Sequence, residues 1–194
     1  MGYESPMPVQ EEVIPFLLGD DNDVIALAQT GTGKTAAFGL PILQKIDVTT
    51  YHPQALVLCP TRELCLQIAD DLNDYSKYID NLKVLPVYGG SSIESQIKTL
   101  KRGVHVVVAT PGRLLDLMNR KTVDLSLVKN VIMDEADEML NMGFTDSINA
   151  ILAEVPENRN MLLFSATMPN EIANIPKENM KNPEEIAIGN KNEG

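Results

Sequence analysis

The chain alternates short runs of β-branched and aliphatic residues with longer stretches in which apolar positions recur every three or four residues. The short runs predict strands over Val24–Leu27, Ala55–Cys59, Val84–Val87, Val104–Ala109, Val131–Met133, Met161–Phe164 and Glu185–Ile188. Most are apolar at nearly every position, the pattern of strands covered on both faces. Between them, three sets each fall on one side of a helix: Ala36, Leu40 and Leu43; Leu64, Ile68, Leu72 and Tyr75; Ile93, Ile97 and Leu100. Strand, helix, strand in repetition predicts right-handed crossovers and an α/β fold, with a mostly parallel central sheet and helices on both faces. Ligands of such sheets sit beyond the carboxyl ends of the strands. The chemically distinctive residues fall there.

Composition narrows the picture. With 194 residues and 44% hydrophobic content, the chain can bury one full core and reads as one large domain. Its 16 Lys and Arg against 27 Asp and Glu give a formal net charge of −11, which argues against binding nucleic acid through overall positive potential and restricts any such site to a local patch. No charged leader precedes an apolar stretch, and no apolar run approaches the ~18 residues that span a bilayer. The expectation is a soluble, cytoplasmic chain with no membrane partner. Cys59 and Cys65, the only cysteines, lack a second ligand pair for zinc and read as free buried thiols. His52 and His105 have no partners at metal spacing and receive no role. The acidic stretch from Gly19 to Asp23 reads as a solvated turn, and Lys181 to Gly194 drifts into polar residues around one short strand.

The stretch AQTGTGKT, Ala28 to Thr35, leaves an apolar strand and enters a helix. A loop so placed aims several backbone N–H groups at one point, where the helix terminus also favours an anion. Gly31 and Gly33 permit the necessary close approach. The loop formed by Ala28, Gln29, Thr30, Gly31, Thr32 and Gly33 then cradles phosphates, Lys34 reaches the β and γ phosphates, and the Thr35 hydroxyl can hold Mg²⁺. The spacing is that of the P-loop, except that Ala28 replaces the first glycine.

A P-loop needs an acidic partner for its metal. Val131-Ile132-Met133 leads directly into Asp134-Glu135-Ala136-Asp137. Asp134, at the strand tip, is placed to bind Mg²⁺ through water, and Glu135 to orient or deprotonate the attacking water. Carboxylates that simply favour a helix N-terminus are the competing reading.

In this order the motifs resemble the first, RecA-like domain of DEAD-box ATP-dependent RNA helicases, over nearly the whole chain. The matching segments are GYESPMPVQ, AQTGTGKT, PTRELCLQ (Pro60 to Gln67), Gly89-Gly90, TPGR (Thr110 to Arg113), DEAD (Asp134 to Asp137) and SAT (Ser165 to Thr167). Cys65 stands where the family usually has alanine, and Met7 and Val9 replace commoner residues. The resemblance implies a RecA-like P-loop NTPase domain over residues 1–188, with 189–194 beginning a linker to a second RecA-like domain. It implies ATP and Mg²⁺ as cofactors, with Tyr3 stacking on adenine and Gln10 reading its edge.

Pro60, Thr61, Arg62, Gly90, Thr110, Pro111, Gly112 and Arg113 would contact RNA. Arg62 and Arg113 suit phosphates, and the glycines admit close backbone approach, which positions a strand without reading its bases. The same segments also carry ordinary helix-capping signals. Ser165 and Thr167 would link nucleotide state to strand separation through hydrogen bonds to the DEAD carboxylates, Asp137 in particular. Because the family's arginine fingers lie in the second domain, the chain alone is expected to be a monomer that binds ATP or ADP weakly, hydrolyses slowly and does not unwind. A P-loop ATPase acting on duplex DNA and an ATP-gated RNA clamp are the other readings the sequence leaves.

Overall fold

The computed structural model describes residues 23–28, 34–167 and 172–188. Seven strands form its sheet: β1 (Val24–Ala28), β2 (Ala55–Leu58), β3 (Val84–Val87), β4 (Val106–Ala109), β5 (Asn130–Met133), β6 (Asn160–Ser165) and β7 (Glu184–Ile188). Seven helices connect them among the described residues: α1 (Lys34–Gln44), α2 (Arg62–Ser76), α3 (Ile93–Arg102), α4 (Pro111–Asn119), α5 (Ala136–Asn141), α6 (Thr145–Ala153) and α7 (Asn174–Asn179). The order is β3-β4-β2-β5-β6-β1-β7, and every pairing is parallel.

All seven expected strands are present. The strand expected from Val104 begins at Val106, because the Lys83 carbonyl accepts from both His105 N–H (2.9 Å) and Val106 N–H (3.2 Å), and regular pairing starts only at Val84 opposite Val106. His105 is wholly buried just outside the strand. Its Nδ1 accepts from Lys83 N–H at 3.0 Å and its Nε2 lies 3.0 Å from the Val48 carbonyl, so the proton sits on Nε2.

The pleat sorts the core onto two faces. Leu56 and Leu58 of β2 and Val131 and Met133 of β5 pack with Leu114, Leu117, Met139, Ile148 and Ile151 from α4, α5 and α6. The intervening Ala55, Val57 and Ile132 face Phe38 and Ile42 of α1 and Ile68 and Leu72 of α2. Burying each of the larger side chains stabilises the fold by about 1.5–3 kcal/mol. The helices start where the sequence provides caps: the Thr61 hydroxyl accepts from Leu64 N–H at 3.2 Å ahead of α2, and the Ser92 hydroxyl from Ser95 N–H at 3.3 Å ahead of α3. The two outer strands carry their own markers. β3 contains Pro86, and β7 begins with exposed Glu184 and Glu185.

Asp23 departs from expectation. Rather than lying in a solvated turn, it is 3% exposed. Because β1 runs between β6 and β7, the carboxylate just before it meets the amino ends of both neighbours: Oδ1 accepts from Met161 N–H at 2.8 Å and Oδ2 from Lys181 N–H at 2.6 Å. Burial pushes its carboxyl above the ordinary 3.8, opposed by those two donors and by the charges of Lys181 and Arg159. The native state therefore holds this proton more tightly than the unfolded chain. Its contribution to stability is complete below pH 3.8 and fades as pH rises through the folded-state value. Asp23→Asn turns one acceptor into a donor facing a backbone N–H. Denaturant titrations should show a loss on the order of 1–3 kcal/mol at neutral pH and removal of this residue's pH dependence; equal stability of the two proteins at neutral pH would contradict the clamp.

Candidate functional site

Strand order builds the site. β6 lies between β1 and β5, so Ser165 at its end is flanked by the end of β1, opposite Leu27, and by the tip of β5. Lys34, the first residue of α1, reaches across this seam. Its Nζ stands 3.6 Å from Asp134 Oδ1, with the two side chains 11% and 7% exposed, and 5.7 Å from the centroid of the Phe164 ring. Lys34 and Asp134, a hundred positions apart in the chain, are brought together. Ala28, Lys34, Glu135, Asp137, Ser165 and Ala166 line the cleft that results, with a volume of about 180 Å³.

Asp134 continues β5: its N–H donates to the Leu58 carbonyl at 2.9 Å, and its Oδ1 accepts from Glu135 N–H at 2.9 Å. Burial pushes its carboxyl up from the usual range, and the Lys34 charge opposes the shift. The half-buried Glu135 is also raised, first by burial and then by the Asp134 charge. Its backbone is left-handed, with φ 52° and ψ 51°. A non-glycine residue in that region costs energy and clusters at functional positions. Here the turn ends the strand and opens α5 in one step, leaving the Glu135 side chain on the cleft wall.

The Thr35 hydroxyl lies beside Asp71 of α2, whose carboxyl is raised by burial and drawn back by that hydroxyl. Thr167 Oγ1 donates to Asp137 Oδ2 at 3.5 Å, the contact expected between the SAT and DEAD segments. Ser165 does otherwise: its hydroxyl donates to the Thr167 carbonyl and folds the turn after β6.

A second cluster gathers at the tips of β2, β3 and β4. Pro60 is buried, Thr61 half-buried and Arg62 exposed. The Arg62 guanidinium stacks 5.0 Å from the centroid of the Tyr88 ring. Gly90 adopts φ +82°, a region that favours glycine, close to Arg62. Arg113 Nη1 donates to the Ser91 carbonyl and to Gln96 Oε1, both at 3.0 Å. Thr61 uses its hydroxyl as a cap, whereas Thr110 makes no side-chain capping bond. Pro111 is buried at the start of α4, and a Cβ placed on the exposed Gly112 would meet nothing within 4 Å. Tyr88, Ser91 and Gln96 were not foreseen. A signal existed for Gln96, which occupies the i+3 position of the apolar stripe Ile93, Ile97 and Leu100 yet carries an amide.

Tyr3, Gln10, Gln29, Thr30, Gly31, Thr32 and Gly33 lie outside the described residues. Cys59 and Cys65 are free and buried, as expected. The adjoining Cys65 thiol, together with burial, holds the Cys59 thiol far above the ordinary thiol range. Among the described residues no helix is long and apolar enough to cross a membrane, and no group of three or more His, Cys, Asp or Glu is gathered to hold a metal.

A family model described as DEAD/DEAH box helicase matches residues 7–175. The chain belongs to the DEAD/DEAH box helicase family. Curated DEAD/DEAH relatives include the ATP-dependent RNA helicase DeaD of Mycobacterium tuberculosis, 53% identical over 96% of this chain and 33% of the relative, and that of Escherichia coli K12, 49% identical over 97% and 30%. The chain thus spans about a third of the length of these relatives. Among solved structures, a DEAD box protein from Methanococcus jannaschii matches with a TM-score of 0.90 at 45% identity, covering 96% of this chain and 50% of that one. The yeast DEAD-box splicing factor Prp28 matches with a TM-score of 0.91 at 33% identity, covering 98% and 47%. The all-parallel seven-stranded sheet is therefore the RecA-like fold of DEAD-box proteins.

Proposed function

We propose that this chain is the ATP-binding part of an ATP-dependent RNA helicase, which couples hydrolysis of ATP to ADP and phosphate with local separation of RNA duplexes or remodelling of RNA–protein complexes. The observation that carries this reading is the meeting of Lys34, at the start of α1, with Asp134 and Glu135, at the tip of β5, across the end of β6. Lys34 neutralises the transferred phosphoryl group. Glu135 accepts the proton of the attacking water, and its raised carboxyl suits that task. Asp134 and Thr35 are the residues to hold Mg²⁺, which would supply charge neutralisation on the β and γ phosphates. Asp134 offers one buried carboxylate and Thr35, next to Lys34, one hydroxyl, which would have to turn from Asp71; so small a donor set suits an ion that keeps several waters and shares its shell with phosphates.

RNA is the proposed partner, held by backbone contacts without base reading. Arg62, Gly90, Thr110, Gly112 and Arg113 cluster on one edge, and the open space over Gly112 is free for a sugar-phosphate chain. A second RecA-like domain of the same protein would supply the remaining arginines. The reading also includes a cytoplasmic location and a monomeric state for the isolated chain, which is proposed to bind nucleotide weakly, to hydrolyse it slowly and not to unwind. In the full-length protein, RNA should stimulate hydrolysis where duplex DNA does not, and a strand-displacement assay should show unwinding. Stimulation by duplex DNA alone, or ATP-dependent clamping of RNA without displacement, would replace the helicase reading.

The proposal gives Gln10 the adenine edge, because a carboxamide both donates and accepts in the pattern adenine offers and guanine does not. Calorimetric titration should show the wild-type chain preferring ATP to GTP by about tenfold, the worth of roughly one hydrogen bond, with the preference lost in Gln10→Ala. Equal affinity of the wild-type chain for both nucleotides rules this out.

A further inference from the structure

Gln96 is a carboxamide buried to 5% exposure in an otherwise apolar helix stripe, and both ends of it are spent on the RNA edge. Its Nε2 donates to the Tyr88 carbonyl at 3.2 Å, and its Oε1 accepts from Arg113 Nη1 at 3.0 Å. The same Nη1 donates to the Ser91 carbonyl. Tyr88, held by its carbonyl, carries the ring on which the Arg62 guanidinium stacks. One amide thus joins the end of β3, the Gly89–Ser91 turn, α3 and the start of α4, and with them both arginines assigned to RNA.

Resting on the RNA reading above, we propose that Gln96 is the positioning residue of the RNA edge: it touches neither nucleotide nor RNA but fixes where Arg62 and Arg113 stand. Amide geometry makes this specific. Only a side chain with one donor and one acceptor at its tip, at this length, satisfies a carbonyl and a guanidinium at once. An unpaired carbonyl and a loosened guanidinium follow from its loss, and an arginine that must first be ordered binds phosphate less well than one already in place. The effect should fall on RNA and spare nucleotide, because none of the contacts of Gln96 reaches Lys34, Asp134 or Glu135.

The test titrates fluorescein-labelled oligouridylate with this chain, by anisotropy over a series of salt concentrations, for wild type and Gln96→Met, at a temperature where circular dichroism shows both folded. Each protein's affinity for a fluorescent ADP analogue is measured in parallel. Gln96→Met fills the same space without the two hydrogen bonds. Its RNA affinity should fall about tenfold, and the slope of log affinity against log salt should drop by about one contact, with nucleotide affinity unchanged. Gln96→Glu, which keeps the acceptor for Arg113, should recover part of the affinity and the slope. Gln96→Asn keeps the amide but is one methylene too short to span both partners. It repeats the test if the methionine variant does not fold. Unchanged RNA affinity and slope in a folded variant overturn the proposal, as does a parallel loss of nucleotide affinity, which marks general loosening of the domain. No RNA binding by the wild-type chain at low salt overturns the RNA-edge reading itself.

Discussion

Replacing Lys34 with alanine is expected to abolish RNA-stimulated ATP hydrolysis in the full-length protein and to lower ATP affinity by on the order of a hundredfold, about 2.7 kcal/mol. Among the described residues that line the cleft, Lys34 is the one cation, set against Glu135, Asp137 and Glu138. Without it the charged residues described around the cleft are all negative, and the loss corresponds to one charge-assisted contact in a partly desolvated site. Asp134 is also left without the cation that opposes the upward pull of burial on its carboxyl, which weakens its candidacy as a metal partner. Lys34→Arg should not rescue: a planar guanidinium, with its charge spread over a fork of donors, does not reproduce the compact ammonium that stands 3.6 Å from Asp134. Titration with a fluorescent ATP analogue and a phosphate-release assay separate binding from turnover. RNA-stimulated hydrolysis at the wild-type rate in Lys34→Ala would remove the lysine from the reaction.

Glu135→Gln should give the opposite signature, with turnover reduced by roughly 10²–10⁴-fold, the usual worth of a general base, while ATP binds as well as before or better. The substitution keeps length and shape and tolerates the same left-handed backbone, so the strand-to-helix turn survives. It deletes the charge that the neighbouring Asp134 makes costly. Single-turnover measurements at saturating ATP isolate the chemical step. If the variant instead fails to bind ATP but hydrolyses normally once bound, Glu135 shapes the turn and is not the base.

The strands were legible because this sheet buries both faces: Val131 to Met133 and Ala55 to Leu58 are apolar throughout, and no alternative period competes. The helices over 111–119, 136–141, 145–153 and 174–179 were not drawn from the pattern. They are six to nine residues long, and their apolar positions are too few to set a period. The convergence of Lys34 with Asp134 was readable from motif order. Its cause was not: which strand lies between β1 and β5 is a matter of topology. Asp23 shows the opposite failure. A run of acidic residues looks solvated until the neighbouring strands turn out to begin beside it and to offer it two N–H groups. For the segment of Arg113 the pattern offers a phosphate contact and a helix start, but it does not reveal that a buried amide two elements earlier, Gln96, already holds part of the guanidinium.

The markers on the outer strands bear on how this chain meets other chains. Pro86 takes one amide donor out of β3, and Glu184 and Glu185 place two negative charges where a newcomer would have to align with β7. Both borders are thus poor templates for recruiting a foreign strand. Growth of the sheet into a neighbour, whether by accidental association at high concentration or by a companion domain in the same polypeptide, is disfavoured at either margin. The strand tips, where the charged side chains already wait, carry no such obstacle to a companion.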